Sequence, residues 1–521
     1  MVRHNKNSTK VGEVSVMAER MNLSKSKYVA GLQCPKVLWM DRHMPEKRAE
    51  QDTARMEIGN MVGDVAMGYF GEYTEVLFDL GSKSAMVAET ERLLKAGAET
   101  ITEASFSYQD NFCSVDILRK VANGYEIIEV KSSTGTVDDV PEQVDQTYLD
   151  DMAYQYYVLT NCGLNITKVG LMRLNSEYIR HGELDLQQLF VITDCTAPVL
   201  ALQGTVRGNI NELKAFAMLK DEPAYTIGSR CLRPECPYKD WCLRDLPESS
   251  VFDIGWSMWG SKKDTAYQAG YITFQDVFDS PTPLNDRQLL QVKTVVNNLP
   301  PYIEPYSIRQ FLNSLTYPLY HLDFETYQQA IPLFDGVKPY LQIPFQYSVH
   351  IQDKPDAEPA HKEFLGKEGK DSRRELAERL CADIPQDACV LAYYASFEKG
   401  RIRELAKLFP DLAENLLSIE ANILDLADPF SKGYYYCREM GGSYSIKVVL
   451  PALCGDDPEL DYKKLDLIQN GSAAMAAFAT LHEQQPEEII RIREALLAYC
   501  KLDTLAMVRV LNKLYEVAPS S

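Results

Sequence analysis

Two groups of acidic residues lie far apart in the chain, and each begins on a segment with the pattern of a β-strand. In the first group Asp116 precedes Glu129 and Lys131, and in the second Asp323 and Glu325 share one strand. Residues i and i+2 of a strand face the same side, so Glu129 pairs with Lys131 and Asp323 with Glu325. Burying such charges is unfavourable without a compensating cation or hydrogen bonds. Carboxylates that converge at strand ends commonly hold Mg²⁺ or Mn²⁺ for phosphodiester hydrolysis, so the sequence predicts two nuclease centres.

The second acidic group continues towards the C-terminus. It includes Glu398 and Asp425, followed by Tyr499 and Asp503 in a segment with a helical pattern. Positions i and i+4 lie on one face of a helix, so Tyr499 and Asp503 are expected side by side. We therefore predict that this helix completes the second metal site.

Length and charge constrain the class of protein. A chain of 521 residues is long enough for several domains. The net charge of -20 argues against a broad basic face. It does not exclude a local groove that binds nucleic acid, because bound cations neutralise acidic sites. No apolar run approaches the roughly 20 residues of a membrane span. Residues Met1 to Lys10 lack the apolar segment of a secretory signal, so we expect a soluble, cytoplasmic protein without a membrane partner.

Four cysteines stand out by their setting. Cys231, Cys236 and Cys242 fall in a short stretch rich in turn-forming residues, and Cys34 lies in a Gln-Cys-Pro turn far upstream. In a cytoplasmic protein such a set indicates a metal site rather than a disulfide framework. Four thiolates suit tetrahedral zinc or an iron–sulfur cluster. The C-x₄-C-x₅-C spacing with one remote partner favours a 4Fe-4S cluster over zinc.

Patterning along the chain predicts two α/β domains. The turn Asn123-Gly124 between two apolar runs predicts a β-hairpin over Asn111–Ser132, and a tyrosine-rich helix follows at Leu149–Leu159. We interpret its tyrosines as core residues, with stacking of unpaired bases as the alternative. In the C-terminal part, strands come first and an acidic helix last, which predicts a mixed-sheet, RNase H-like domain. The predicted segments are a disordered N-terminus (1–20), a first nuclease domain (21–246), a helical connector (247–316) and a second domain (317–521).

The first group resembles a known family. Asp116, the Glu129-x-Lys131 pair, Gln155 on the next helix and the bracketing cysteines resemble the iron–sulfur branch of the PD-(D/E)XK nucleases. That branch includes RecB-type, AddB-type and CRISPR-associated RecB-like exonucleases, and the resemblance covers residues 20–246. It implies a restriction-endonuclease-like core.

The resemblance also implies residue roles. Asp116, Glu129 and the Val130 carbonyl would hold the metal, Lys131 would position or activate the attacking water, and Gln155 would support the site. The cluster of Cys34, Cys231, Cys236 and Cys242 would join the two ends of the module. The family's upstream metal-binding histidine has no counterpart in this chain, where Asp64 is the nearest candidate.

The second group resembles the DnaQ-like DEDD exonucleases over residues 317–515. Asp323-Phe-Glu325 resembles their first motif, the segment ending at Glu398 their second, and Tyr499-x₃-Asp503 their third. Glu398 stands where that family usually has aspartate. The resemblance implies two-metal hydrolysis with Asp323, Glu325, Glu398 and Asp503 as ligands and Tyr499 orienting the attacking water, while Asp425 is a candidate for partial compensation.

Together these features predict a metal-dependent DNA exonuclease with two hydrolytic modules, acting in repair, recombination, CRISPR adaptation or phage defence. Its expected partner is DNA with single-stranded ends. One alternative is an RNA-processing exonuclease, because DEDD-like domains act on RNA as well as on DNA. Another is a nuclease with a single active site whose other domain only binds nucleic acid. The layout also resembles an uncharacterised bacterial family with the same two-domain composition.

Overall fold

The computed structural model describes residues 21–50, 54–77, 82–233, 236–355, 357–455 and 458–519, and it divides into two compact units. The first unit contains Gly59–Asn175, Leu186–Tyr225 and the described residues up to Arg48. The second contains Ala49–Ile58, Ser176–Asp185 and the described residues from Thr226 onwards, and so includes residues 226–246 with three of the four predicted cluster cysteines. The N-terminal segment predicted to be disordered, residues 1–20, lies outside the described residues.

A mixed sheet forms the centre of the first unit. Neighbouring strands are antiparallel from the third to the fifth, the sixth is parallel to the fifth, and the seventh is antiparallel to the sixth. The hairpin turns at Asn123-Gly124 as predicted, and Gly124 is required there because a Cβ would lie 2.2 Å from the Asn165 carbonyl oxygen. The strands are β1 (Leu23–Ser24), β2 (Thr74–Glu75), β3 (Thr100–Tyr108), β4 (Asn111–Val121), β5 (Gly124–Gly135), β6 (Ile166–Asn175) and β7 (Phe190–Asp194).

Strand β4 has two partners on the same edge. Its end, from Ile117 to Val121, pairs with β5, while its start pairs in parallel with the short strand β1 at Leu23 and Ser24. Strands β1 and β5 therefore pair with the two ends of β4, on either side of Asp116, and the first helix begins directly after β1. This pairing places residues from the start of the described chain next to the β4–β5 hairpin.

Helices cover the sheet of the first unit. Helix α5 packs on β3, β4 and β6, and α7 packs on α5. On α5 the Tyr154 ring is fully buried and stacks on Tyr28 at 4.7 Å, and the neighbouring tyrosines line the same core, which confirms the core interpretation of the tyrosine-rich helix. The helices are α1 (Lys25–Gln33), α2 (Pro35–His43), α3 (Ala54–Met67, which belongs to this unit from Gly59 onwards), α4 (Lys83–Ala96), α5 (Gln146–Asn161), α6 (Leu186–Leu189) and α7 (Thr196–Ala217).

A second mixed sheet organises the second unit. Its order is β11-β10-β9-β12-β13, with the first three strands antiparallel and the last two parallel to β9. A separate pair joins β14 to β8. The strands are β8 (Tyr302–Ile303), β9 (Leu319–Tyr327), β10 (Ile343–Gln352), β11 (Ala360–Leu365), β12 (Cys389–Ala392), β13 (Ile423–Asp425) and β14 (Tyr435–Tyr436).

The long C-terminal helix of the second unit packs on β9 and β10. Among the residues that the structure describes, no helix combines the length and apolar character needed to cross a membrane. The helices are α8 (Lys239–Leu243), α9 (Gly260–Gln268), α10 (Phe274–Asp279), α11 (Asp286–Val296), α12 (Pro305–Asn313), α13 (Arg373–Asp383), α14 (Ser396–Leu408), α15 (Ala413–Ala421), α16 (Asp428–Ser431), α17 (Ile446–Cys454), α18 (Gly471–Ala479) and α19 (Pro486–Val517).

The α/β class with mixed sheets is therefore confirmed. The predicted hairpin corresponds to β4 and β5, the tyrosine-rich helix to α5, the predicted strand of Asp323 and Glu325 to β9, and the helical segment of Tyr499 and Asp503 to α19. The sequence pattern gave no prediction for β3 or β11. The polar residues of β11 alternate with few apolar ones, so its period-2 signal is weak.

Candidate active sites

Three carboxylates form a row across the first sheet. The last paired residues of the β4–β5 ladder are Ile117 and Ile128, and the next residues along are Asp116 and Glu129, where the strands begin to separate. On the other side of β4, Glu103 is skipped in the β3–β4 register and has a φ of +53°. Positive φ is uncommon outside glycine, so the backbone of Glu103 is strained beside the two predicted ligands.

The Glu129 carboxylate is buried and held by several donors. Lys131 Nζ donates to Glu129 Oε1 at 2.6 Å, and Gln155 Nε2 donates to Oε2 at 2.6 Å. Both donors also bind Asp151, which lies one helical turn before Gln155 on α5, at 2.9 and 3.0 Å. Asp116 accepts a hydrogen bond from the Val130 N–H at 2.7 Å. The structure therefore brings together the five residues predicted for this site and adds Asp151.

A second lysine reaches the same carboxylates. Lys25, the first residue of α1, donates to both Glu129 oxygens at 3.1 Å, and its Nζ lies 3.5 Å from Asp116 Oδ1. No sequence pattern indicates a role for this residue, which is 104 positions from Glu129.

Charge in the first site is balanced between acids and lysines. Although burial opposes the effect, the Lys25 and Lys131 ammonium groups hold the pKa of Glu129 below its usual value. Burial and the Glu129 carboxylate raise the pKa of Asp116 to about 6. Desolvation opposes ionisation of Lys131, yet Glu129 and Asp151 raise its pKa, so this side chain is an ammonium in the metal-free protein. Burial and Asp116 raise the pKa of Glu103 to about 7.

Asp64 is not among the residues that the structure brings together here. It is exposed on α3, and within the described residues no hydrogen bond or ion pair connects it to Glu129 or Asp116. The strained Glu103 is the carboxylate that joins this pair instead.

The second site collects carboxylates from three elements. Asp323 and Glu325 lie on β9, Glu398 on the first turn of α14 and Asp503 on α19. The Glu325, Glu398 and Asp503 side chains are buried, with exposed fractions of 7%, 2% and 7%. All four residues predicted as ligands therefore belong to one cluster, because the Glu325, Glu398 and Asp503 carboxylates all raise the pKa of Asp323.

Two tyrosine hydroxyl groups form hydrogen bonds with the Asp503 carboxylate. Tyr462 donates its hydroxyl proton to Asp503 Oδ1 at 2.5 Å, and Tyr499 also bonds to Asp503. Lys447 Nζ in turn donates to the Tyr499 hydroxyl oxygen at 3.0 Å. Tyr462 lies in a short 3₁₀ helix, Tyr462–Lys464, and its sequence has no helical or strand periodicity from which this position could have been predicted.

Glu398 and Asp425 differ in their surroundings. Glu398 Oε2 is buried and has no hydrogen-bond partner among the described residues. Asp425 accepts three backbone hydrogen bonds, from Tyr394 at 3.0 Å, Ala395 at 3.1 Å and Ala427 at 2.9 Å. Asp425 thus fixes the loop that leads into Glu398, and its oxygens are already engaged.

The second site carries an excess of acid. Burial and Asp503 raise the pKa of Glu325 to about 8, and burial, with Asp425 also contributing, raises that of Glu398 to about 8. Burial and the Asp503 and Glu325 carboxylates raise the pKa of Asp323 well above its usual value. Lys447 opposes this effect on Glu325. These carboxylates ionise readily only if a cation joins them.

The donor set fits a divalent cation. Ligand atoms of Asp323, Glu325 and Cys500 lie within 4.8 Å of one another, and the unpartnered oxygen of Glu398 belongs to the same acidic cluster. Cys500 Sγ is 3.8 Å from Asp323 Oδ2. Carboxylate oxygens match the preference of Mg²⁺ and Mn²⁺. In the first site Asp116 and Glu129 supply the same donor type.

The predicted cluster cysteines lie on or beside short helical segments. Cys34 lies between α1 and α2 in the first unit, and Cys231, Cys236 and Cys242 lie on a short helix, a turn and α8 in the second. Burial and the nearby Cys231 raise the pKa of Cys236. The 4Fe-4S cluster stays a prediction.

Replacing Cys236 by serine tests that prediction. If four thiolates hold the cluster, Cys236→Ser should lower the iron content from about four atoms per chain to below one and remove the visible absorbance. Cys162→Ser, at an exposed thiol outside the motif, should leave both unchanged. Full iron content in Cys236→Ser, or zinc in the wild-type protein, would contradict a 4Fe-4S cluster at these residues.

A segment of the chain matches a protein family. Residues 320–445 match the profile of a family described as Domain of unknown function (DUF2779). The matched segment contains Asp323, Glu325, Glu398 and Asp425. No curated protein matches the chain.

Proposed function

We propose that this protein is a metal-dependent nuclease with two hydrolytic centres, acting as an exonuclease on DNA in the cytoplasm. The observation that carries the proposal is the second site, where four carboxylates are clustered and one buried Glu398 oxygen has no hydrogen-bond partner in the described part of the chain. An arrangement so unfavourable without a cation is expected at a site that binds one during its function.

We assign the first unit to the PD-(D/E)XK class and the C-terminal sheet to the DnaQ-like class. In support of the first assignment, Asp116 and the Glu129-x-Lys131 pair converge at the end of a hairpin, with Gln155 behind Glu129. In support of the second, β9 presents Asp323 and Glu325 in the middle of a mixed sheet on which the helix of Asp503 packs.

Divalent cations bound at these carboxylates would lower the pKa of a coordinated water and stabilise the charge that develops on the phosphoryl oxygens. In the metal-free first site Lys131 is an ammonium, because Glu129 and Asp151 hold its proton. As an ammonium it can donate to the attacking water or to a phosphate oxygen. Asp151 and Gln155 position Lys131 and Glu129.

In the second site, Tyr499 is positioned between a cation and an anion. Lys447 donates to its hydroxyl oxygen, and its own proton is directed to Asp503. Burial and Asp503 hold the pKa of Tyr499 far above its usual value, so the phenol stays protonated. Tyr499 therefore orients a water molecule through hydrogen bonding rather than by removing its proton.

Lys131→Met tests the first centre. In the full chain carrying Asp503→Asn, which disables the second centre, Lys131→Met should lower cleavage by about 100-fold or more, because it removes an ammonium that acts in the transition state. End-labelled single- and double-stranded DNA and RNA, with Mg²⁺ and with Mn²⁺, are the substrates. DNA binding and the circular dichroism spectrum should be unchanged.

The matched control is Lys120→Met, which removes an exposed lysine from β4 in the same sheet. It should cleave at the rate of its parent. Equal rates for Lys131→Met and Lys120→Met would refute the first centre, and cleavage of RNA alone would replace DNA by RNA as the substrate.

A further inference from the structure

The ammonium group of Lys25 lies between the two carboxylates that we propose as metal ligands. Its Nζ is 3.1 Å from each Glu129 oxygen and 3.5 Å from Asp116 Oδ1. Among the described residues, these are the carboxylates that it contacts directly. The ammonium group thus bridges the two carboxylates in the way that a bound metal ion would.

This position excludes a metal ion. Mg²⁺ binds carboxylate oxygens at about 2.0 to 2.1 Å, so a cation shared by Asp116 and Glu129 needs the space that the ammonium fills. Two cations so close together also repel each other strongly where water is scarce. Binding of the metal therefore requires that Lys25 leaves.

Lys25 is not needed to orient the carboxylates. Glu129 keeps Lys131 and Gln155 as donors, at 2.6 Å each, and Asp116 keeps the Val130 N–H. Lys131, by contrast, also donates to Asp151, so it keeps this hydrogen bond when a metal ion binds to Glu129. The contacts of Lys25 are with the metal ligands themselves, so metal binding frees its ammonium.

The backbone position of Lys25 points the same way. It is the first residue of α1, directly after the cap Ser24, whose hydroxyl accepts the Lys27 N–H at 3.3 Å. The helix dipole disfavours a cation at this end. The acids of the site, rather than helix stability, thus account for a lysine here, and once displaced its ammonium stays tethered beside them.

We propose that Lys25 is a second active-site lysine, whose ammonium occupies the cation position in the metal-free protein and binds a phosphate oxygen of the nucleic acid once a divalent metal displaces it. The inference rests on the proposed function. In this mechanism the metal ion replaces the Lys25 ammonium between the two carboxylates. The displaced ammonium is available to a substrate phosphate only when the metal is bound.

Mn²⁺ binding tests the exchange. In full-length protein carrying Asp503→Asn, electron paramagnetic resonance titration should show that Lys25→Met binds Mn²⁺ about five- to tenfold more tightly than its parent, since a competing cation is gone. Lys27→Met, at the exposed lysine two residues on, should match the parent. Lys25→Arg, which keeps a cation, should also remain close to it. Unchanged or weaker Mn²⁺ binding by folded Lys25→Met would overturn the exchange.

Salt dependence tests the phosphate contact. With Ca²⁺ bound, single-stranded oligonucleotide binding by Lys25→Met should be weaker, and the slope of log K against log salt should be shallower by about 0.7, the value for one lost phosphate contact. Lys27→Met should keep the slope of its parent. An unchanged slope in Lys25→Met would overturn this half of the proposal.

The outcomes separate this inference from the proposed function. If the wild-type protein neither binds nor cleaves nucleic acid, the proposed function fails, and the Mn²⁺ titration still decides whether Lys25 competes for the cation position. If cleavage occurs but Lys25→Met behaves like Lys27→Met in both experiments, the nuclease stands and the role of Lys25 is refuted.

Discussion

Asp503→Asn is expected to remove most of the nuclease activity of the second centre. In a full-length chain whose first centre is disabled by Lys131→Met, we expect cleavage to fall by about 10²- to 10³-fold. The reason is that Asp503 serves the site twice, as a predicted metal ligand and as the acceptor for the hydroxyls of Tyr462 and Tyr499. Release of labelled nucleotides from DNA ends, in Mg²⁺ and in Mn²⁺, is the measurement.

Two variants make this result specific. Glu494→Gln replaces an exposed acid of the same helix and should leave cleavage unchanged. Asp425→Asn keeps the size of a side chain that holds backbone N–H groups and should cost less than Asp503→Asn, because its oxygens orient a loop. If Asp425→Asn abolishes cleavage while Glu398→Gln does not, the second motif has been assigned to the wrong carboxylate.

The sequence predicted the parts of both sites that local patterns encode. Asp323 and Glu325 are neighbours because a strand alternates its faces, and Tyr499 lies near Asp503 because a helix repeats every four residues or so. Glu129 and Lys131 are also two positions apart on a strand, and they form an ion pair at 2.6 Å. Periodicity is a local property, so these contacts are visible before the fold is known.

Contacts that depend on chain topology were not visible. Lys25 reaches Glu129 because β1 pairs with the start of β4, a long-range parallel contact of only two residues on each strand. Glu103 joins Asp116 through a backbone irregularity with positive φ, which no propensity for glutamate indicates. Asp151 is the exception, since its i, i+4 spacing to Gln155 on a helix could have identified it.

The two sites differ in how their negative charge is compensated. In the first, Lys25 and Lys131 contact the acids directly, at 3.1 and 2.6 Å. In the second, Lys447 donates to the Tyr499 hydroxyl, and Arg401, which lies near Glu398, forms an ion pair with Glu404 at 2.8 Å. We infer that ion pairs with lysines stabilise the carboxylates of the metal-free first site, whereas those of the second site are stabilised by protonation or by a metal.

Stability of the second unit should therefore fall as pH rises when no metal is present. An unfolded glutamate loses its proton near its usual pKa of about 4.3, whereas Glu325 and Glu398 in the folded protein hold theirs up to pH about 8. Between these values the folded state binds more protons than the unfolded state, so the free energy of unfolding decreases with pH and levels off above pH 8. Binding of Mn²⁺ to the ionised carboxylates should reverse the loss.

Glu398→Gln isolates this effect, because glutamine resembles the protonated acid at every pH. In EDTA we expect the variant to be more stable than the wild type by about 1 kcal/mol at pH 5, where an unfolded glutamate is already ionised, and by a value on the order of 4 kcal/mol at pH 8. Hydrogen exchange of α19 peptides, followed by mass spectrometry, measures the free energy of local opening. With Mn²⁺ at pH 8 the order should invert, since the wild type gains a metal ligand that the variant lacks. Equal stability of the two proteins at pH 5 and at pH 8 would show that Glu398 ionises normally, and would remove the main reason for placing a cation at this site.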